Sequence, residues 1–163
     1  IPTLEEALIR FPGQKFNIDI KHYSAAVPVA EVINRLQAHD RVLITSFSDR
    51  NRIRVLDLLN KPTASSAGSG TVIRLYLALM LGLRFLIPSP LRMSQIQALQ
   101  VPTTQGVFRF DAVKFIKKIH ALDLELHYWT INTAHEMKRL IALGADGLVS
   151  DKCDLAISTL RTT

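Results

Sequence analysis

Two hydrophobic rhythms take turns along this chain. Thr3-Leu4-Glu5-Glu6 carries the pattern of a helix-starting capping box, Leu4, Leu8 and Phe11 follow at roughly helical spacing, and Pro12-Gly13 ends that helix. Over residues 16–21 the period changes to two. Phe16, Ile18 and Ile20 alternate with Asn17, Asp19 and Lys21, which predicts a strand with one buried and one polar face. Val29, Val32, Ile33 and Leu36 then define a helix stripe that ends near His39-Asp40. Residues 41–47 read as a second strand, continuous and apolar as parallel strands covered on both faces tend to be. Ser48 is placed to cap a helix carrying Ile53, Leu56 and Leu59.

The alternation continues. Residues 63–70 are small and predict a short strand running into a loop, with a hydrophobic helix from about Val72. Residues 98–102 predict a further strand, and Asp111 is placed to cap a helix whose stripe includes Val113, Ile116 and Ile119. Residues 125–131 predict a strand followed by a second capping box, Thr133 with Glu136, on a helix bearing Met137, Leu140 and Ile141. Gly144 sits where a C-terminal glycine belongs, and residues 147–151 form the last predicted strand. Strands alternating with helices predict an α/β protein with a parallel sheet covered by helices.

A doubly wound open sheet and a (β/α)8 barrel both satisfy that pattern. A nucleotide-binding open sheet usually has a glycine-rich turn after its first strand, where this chain has Ile20-Lys21-His22-Tyr23. The barrel needs eight units, and the pattern supplies six, so the expected architecture is about three quarters of a TIM-type barrel. On that reading residues 1–163 make a single incomplete (β/α) barrel domain. An unclosed barrel would leave strand edges exposed, and the chain opens Ile1-Pro2-Thr3 without an initiator Met. Both features lead to the expectation of a missing N-terminal segment, or of a homo-oligomer, that completes the barrel.

Composition narrows the classes. The 163 residues are 48% apolar and 21% charged, which excludes disordered and collagen-like chains. The net charge of +6 favours anionic partners without choosing among them. The lone Cys153 excludes a disulfide framework and a cysteine-based zinc site. The longest apolar run, residues 75–83, is far short of the roughly 20 residues a transmembrane helix needs, so no transmembrane segment is expected and a cytoplasmic location is the default. Arg50, Arg52, Arg54, Lys114, Lys117, Lys118, Lys138 and Arg139 fall on different helices and read as solvated outer faces, with no aromatic residues interleaved to stack bases. No nucleic-acid partner is expected. The five histidines form no metal-like cluster in sequence.

In a barrel, chemistry sits at the carboxyl ends of the strands. Those positions are Asp19 and Lys21, Ser46 and Phe47, residues 66–70, Gln100, residues 129–132 and Asp151. One acid, one lysine, aromatic rings and small polar groups suit an anionic substrate and a metal ion. Residues 65–70 either cradle a phosphate through backbone amides or form a plain flexible loop.

Four segments sharpen this. Asn17-Ile18-Asp19-Ile20-Lys21 resembles the Asn-Ile-Glu-Ile-Lys strand of the glycerophosphodiester phosphodiesterase family, and residues 42–47 resemble that family's next strand, which ends in Ser-Phe. Tyr128-Trp129-Thr130-Ile131-Asn132 is similar to its Trp-Thr-Val-Asn strand. Gly144-Ala145-Asp146-Gly147-Leu148-Val149-Ser150-Asp151 is similar to its closing Gly-Val-Asp-Gly-Ile-Ile-Thr-Asp. Thr3-Leu4-Glu5-Glu6 matches the helix before the first of these.

The resemblance implies a barrel enzyme that hydrolyses glycerophosphodiesters to sn-glycerol 3-phosphate and an alcohol with Mg²⁺ or Ca²⁺. It implies that Asp19 is a metal ligand, that Lys21 is the catalytic lysine on the phosphate, and that Trp129 and Phe47 line the glycerol pocket. There are departures. Asp19 replaces the usual Glu, Cys153 replaces a Pro, and the family's His-Arg-Gly, Glu-x-Asp and His-Asp segments have no counterpart in these residues. The chain alone is therefore expected to be inactive. The rival reading is a non-catalytic barrel remnant or binding protein.

Overall fold

The computed structural model describes residues 1–87, 93 and 95–161. It is an α/β structure in two compact units, Ile1–Leu75 with Leu86–Ile96, and Tyr76–Phe85 with Gln97–Thr163.

In the first unit, helix α1 (Leu4–Arg10) starts as its sequence requires. The Thr3 hydroxyl accepts the Glu6 amide at 3.2 Å while the Glu6 carboxylate accepts the Thr3 amide at 2.8 Å. The Thr3 amide that donates to it, with the Thr3 hydroxyl beside it, holds the Glu6 carboxyl below the usual carboxylate range. Strand β1 (Phe16–Asp19) pairs in parallel with β2 (Val42–Thr45), Phe16 opposite Val42 and Asp19 opposite Thr45. Strand β3 (Ala64–Ser65) pairs in parallel with the other edge of β2.

Helices α2 (Ala26–Leu36), α3 (Asp49–Leu58) and α4 (Ser69–Leu81) follow these strands in turn. Pro28 lies in the first turn of α2, where amides lack intrahelical partners anyway. Leu8, Ile20, Ala30, Ile33, Ile44 and Val55 are buried together as the core. Each large aliphatic side chain among them contributes roughly 1.5–3 kcal/mol by leaving water.

In the second unit, β4 (Ala98–Val101), β7 (Glu125–Tyr128) and β8 (Gly147–Leu148) form another parallel sheet with β7 central. A Cβ on Gly147 would lie 2.6 Å from His127 Cδ2, so only glycine lets these two strands approach this closely. Helices α5 (Val113–His120), α6 (Ala134–Leu143) and α7 (Cys153–Arg161) complete the unit. Gly144 ends α6 in the left-handed conformation at φ 101°, as its position in the sequence predicts.

The described strands pair as two three-stranded parallel sheets and one two-stranded antiparallel sheet, and do not make a closed barrel. The antiparallel pair, β5 (Thr104–Gln105) with β6 (Phe108–Arg109), was not expected. It turns at Gly106 and presents Phe108 and Phe110 to Tyr76, at ring distances of 5.1 and 5.3 Å.

Four expectations are corrected by packing. Asp111 does not cap α5: Ala112 is the N-cap, and the buried Asp111 carboxylate instead accepts Arg139 Nη2 at 2.9 Å and Arg109 Nη2 at 3.4 Å. Val113 is exposed, and Phe115 takes its place beside Ile116 and Ile119 in the buried stripe. The Thr133 box is only half made. The Thr133 hydroxyl accepts the Glu136 amide, but the Glu136 carboxylate turns to Arg139 Nε at 2.8 Å, a contact that lowers the Glu136 pKa. Arg52 is not on a solvated face but 2% exposed.

Candidate functional site

The carboxyl end of β1 is where three of the four sequence-predicted site residues meet. Asp19 ends the strand on its polar face and Lys21 lies two residues on, so the strand period turns both side chains the same way. Lys21 Nζ stands 2.5 Å from Asp19 Oδ2 and 5.3 Å from the centre of the Phe47 ring. The Lys21 and Asp19 side chains are 63% and 38% exposed, and an ion pair this open contributes about 0–1 kcal/mol to folding. Phe47, 58% exposed at the end of β2, offers its ring face to the ammonium instead of burying it.

The backbone beneath Lys21 is clamped from the next βα loop. Ser46 Oγ donates to the Ile20 carbonyl at 2.7 Å and accepts the Ser48 amide at 3.1 Å. Asn51 Nδ2 donates to both the Ile20 and Lys21 carbonyls at 3.4 Å. Asn51 can reach because Ser48 caps α3 through the Asn51 amide, which fixes the first turn of the helix beside the end of β1.

Asp49, at the start of α3, fills the space that residues 65–70 could have offered to a phosphate. Its carboxylate accepts the amides of Gly68 and Thr71 at 3.0 and 3.1 Å, the Thr71 hydroxyl at 3.0 Å and Arg52 Nη2 at 3.3 Å. The protein's own anion occupies the cradle, so that loop is neither a phosphate site nor loosely held: Ser65, Ser66 and Ala67 are buried. Arg52 Nη1 also donates to Ser65 Oγ at 2.9 Å. A cavity of about 290 Å³ opens next to this network, lined by Asp49, Arg50, Arg52, Thr71 and Arg74 among others.

Trp129 belongs to the second unit. It follows β7, donates its amide to the Val101 carbonyl at 3.2 Å and is partly buried. Near it, the Asn132 side chain ties the ends of β7 and β8 together. Its oxygen accepts Ser150 Oγ at 3.0 Å and the Asp151 amide at 2.9 Å, and its nitrogen donates to Asp151 Oδ2 at 3.0 Å.

A hard divalent cation needs about six oxygen ligands, several of them carboxylates. Among the described residues no group of three His, Cys, Asp or Glu side chains converges, and Asp19 is already engaged by Lys21. These residues alone do not fit such an ion. Among the described residues no helix is long and apolar enough to cross a membrane.

The sequence did not single out Asn51 or the Asp49–Arg52 pair. Ser48 and Asp49 signal a helix start, but their partners at Ile20, Ser65 and Gly68 lie on other loops, and only the fold brings them close.

Residues 1–155 match the Glycerophosphoryl diester phosphodiesterase family. A Mycobacterium tuberculosis protein described as a probable glycerophosphodiester phosphodiesterase is 39% identical over 155 residues, covering 95% of this chain and 58% of that protein. Among solved structures, a phosphodiesterase from Oleispira antarctica in complex with the product sn-glycerol-3-phosphate aligns with a TM-score of 0.70 at 19% identity, over 99% of this chain and 62% of its own. A glycerophosphodiester phosphodiesterase from Parabacteroides distasonis aligns with a TM-score of 0.67 at 16% identity, over 99% and 64%. At those identities the structures speak for the fold alone. The chain spans about three fifths of the length of these relatives.

Proposed function

The chain belongs to the glycerophosphoryl diester phosphodiesterase family, and from that premise we propose that it is part of an enzyme that hydrolyses glycerophosphodiesters to sn-glycerol 3-phosphate and an alcohol. The reaction adds the elements of water across one P–O bond: the phosphorus keeps the glycerol oxygen, and the alcohol leaves with a proton. The observation that carries the reading is the Asp19–Lys21–Phe47 cluster at the carboxyl ends of β1 and β2.

In this proposal Lys21 binds the phosphate as a point charge and draws off negative charge as the P–O bond breaks. Phe47 confines the ammonium from one side and walls the glycerol pocket, and Trp129 supplies an apolar face for the glycerol carbons. Ser46 and Asn51 hold the backbone from which Lys21 projects. Mg²⁺ or Ca²⁺ belongs to the proposal for a longer protein, in which Asp19 gives one oxygen ligand and the others come from outside the described residues. Bound there, the ion would polarise a phosphoryl oxygen. A barrel of which this chain supplies six βα units, completed by further chain or a second copy, and a cytoplasmic location belong to the same reading.

These 163 residues by themselves are expected to bind the product without turning over the diester. Binding of sn-glycerol 3-phosphate, followed through the backbone amide of Lys21 by NMR, tests the assignment directly. An enzyme assay on a polypeptide extended to the length of the relatives, measuring sn-glycerol 3-phosphate release from glycerophosphodiesters, tests the activity. No binding at Lys21 and no release would leave the rival, a non-catalytic remnant of the same fold.

A further inference from the structure

We infer that Tyr23, Arg50 and Arg54 select the alcohol arm of the phosphodiester, favouring neutral polyol or anionic groups over quaternary ammonium groups; the inference rests on the phosphodiesterase reading above and adds the substrate class to it.

The three residues cluster beside the loop that follows Lys21. Tyr23 follows Lys21 by two residues on the loop after β1, and Asn51 ties the first turn of α3 to the Lys21 carbonyl at 3.4 Å. Arg50 precedes Asn51, and its guanidinium carbon lies 4.6 Å from the centre of the Tyr23 ring. Arg54, one helical turn further along, lies 6.0 Å from the same ring. Tyr23 is 45% exposed, Arg50 is exposed and Arg54 is half-buried, so the Tyr23 ring and the Arg50 guanidinium are open to solvent. With the phosphate on Lys21 and the glycerol arm on the Phe47 side of it, as the proposed function has them, the remaining arm is the one left to meet Tyr23 and the two arginines.

The chemistry of this cluster is one-sided. Among the described residues neither Arg50 nor Arg54 has a carboxylate within ion-pair distance. Of the acids on the adjoining segments, Asp19 is engaged by Lys21, and Asp49 by Arg52, Gly68 and Thr71. A quaternary ammonium group is usually received by an open aromatic face. Here arginines attend the ring of Tyr23 and the Lys21 ammonium attends that of Phe47, so such a group meets like charge in place of a free face. An inositol-type polyol or an anionic arm, by contrast, offers acceptors to guanidinium forks that are not yet saturated.

The test uses the chain as it is, with binding followed at the amides of Lys21 and Tyr23 by NMR. Three ligands are titrated: sn-glycerol 3-phosphate, glycerophosphoinositol and glycerophosphocholine. The expected result is that all three shift Lys21 and that the inositol diester binds about fivefold more tightly than the choline diester, the scale of one exposed charge contact. The ratio should fall to about one to two in Arg50→Gln/Arg54→Gln, and should shrink in wild type as salt is raised. It should persist in Lys114→Gln/Lys117→Gln, which removes the same charge from α5. Equal binding of the two diesters in wild type, or a ratio that survives loss of both arginines and high salt, overturns the inference and leaves the phosphodiesterase reading standing. If sn-glycerol 3-phosphate itself fails to shift Lys21, that reading falls and the inference with it. Because the salt series is read on wild type, the outcome does not depend on the folding of the double variant.

Discussion

The carboxylate of Asp49 accepts the backbone amide of Gly68 at 3.0 Å, so the residue that opens α3 also fixes the loop that leads into α4. The contact is tight enough to exclude any side chain at position 68. A Cβ there would lie 2.7 Å from the Asp49 amide nitrogen and 2.8 Å from its carboxyl carbon. The same carboxylate faces Arg52, which is almost wholly buried, so one acid both closes the loop and compensates an interior charge.

Asp49→Ala is expected to be among the most destabilising single substitutions in the first unit. It removes a carboxylate with four hydrogen-bond partners and leaves the buried Arg52 without it, a change of roughly 3–5 kcal/mol. Urea unfolding should show the lowered midpoint. A loss under about 1 kcal/mol would mean that the Ser65 contact or water satisfies Arg52 unaided.

Gly68→Ala should cost about 1–3 kcal/mol, because the added methyl meets backbone and not the end of a flexible chain. Gly13→Ala is the control, since no atom lies within 4 Å of a Cβ there. Melting temperatures of the two variants side by side give the comparison.

Lys21→Ala should leave the fold intact, because the side chain is exposed and its ion pair with Asp19 adds little to stability. It should weaken sn-glycerol 3-phosphate binding by about 10- to 100-fold, the loss of a charge-assisted contact of roughly 1.5–3 kcal/mol. In an active, longer enzyme it should slow turnover strongly. Binding isotherms with an unchanged thermal melt are the decisive pair, and unchanged affinity would remove Lys21 from the site.

His39 should make the first unit less stable in mild acid. Burial lowers its pKa, the nearby Lys61 charge adds to the effect, and the Asn60 hydrogen bond and the Asp40 charge oppose it only in part. The unfolded chain then takes up a proton below about pH 6.5 before the folded one does, so stability present above that pH is lost as the pH falls toward the folded value. Melting temperature should drop between about pH 7.5 and 5.5, and His39→Gln should flatten that part of the profile. An unaltered profile in the variant would place the dependence on other groups.

Much of the fold is readable from local pattern. The alternation of Phe16, Ile18 and Ile20 with Asn17, Asp19 and Lys21 predicts a strand, and its buried and exposed positions follow that alternation. The Thr3–Glu6 box and the Gly144 terminator also form as read, because each depends on atoms within four residues. Asp111 fails the same test. It sits one residue too early for the helix that forms, and burial against Arg139, twenty-eight residues away, outweighs a cap it could have made.

By itself the sequence determined the element types, their order and the residues that mark the family, since periodicity, capping and motif are properties of neighbouring positions. It also placed Asp19 and Lys21 on one face, because a strand repeats every two residues. Only the tertiary structure brought Phe47 to Lys21, Asn51 to the carbonyls beneath it and Asp49 to Gly68. Those contacts join separate βα loops, and parallel strand pairing sets which loops become neighbours. It alone decided that Arg52 is buried, for an arginine between two exposed-looking arginines carries no local sign of the carboxylate and serine that receive it.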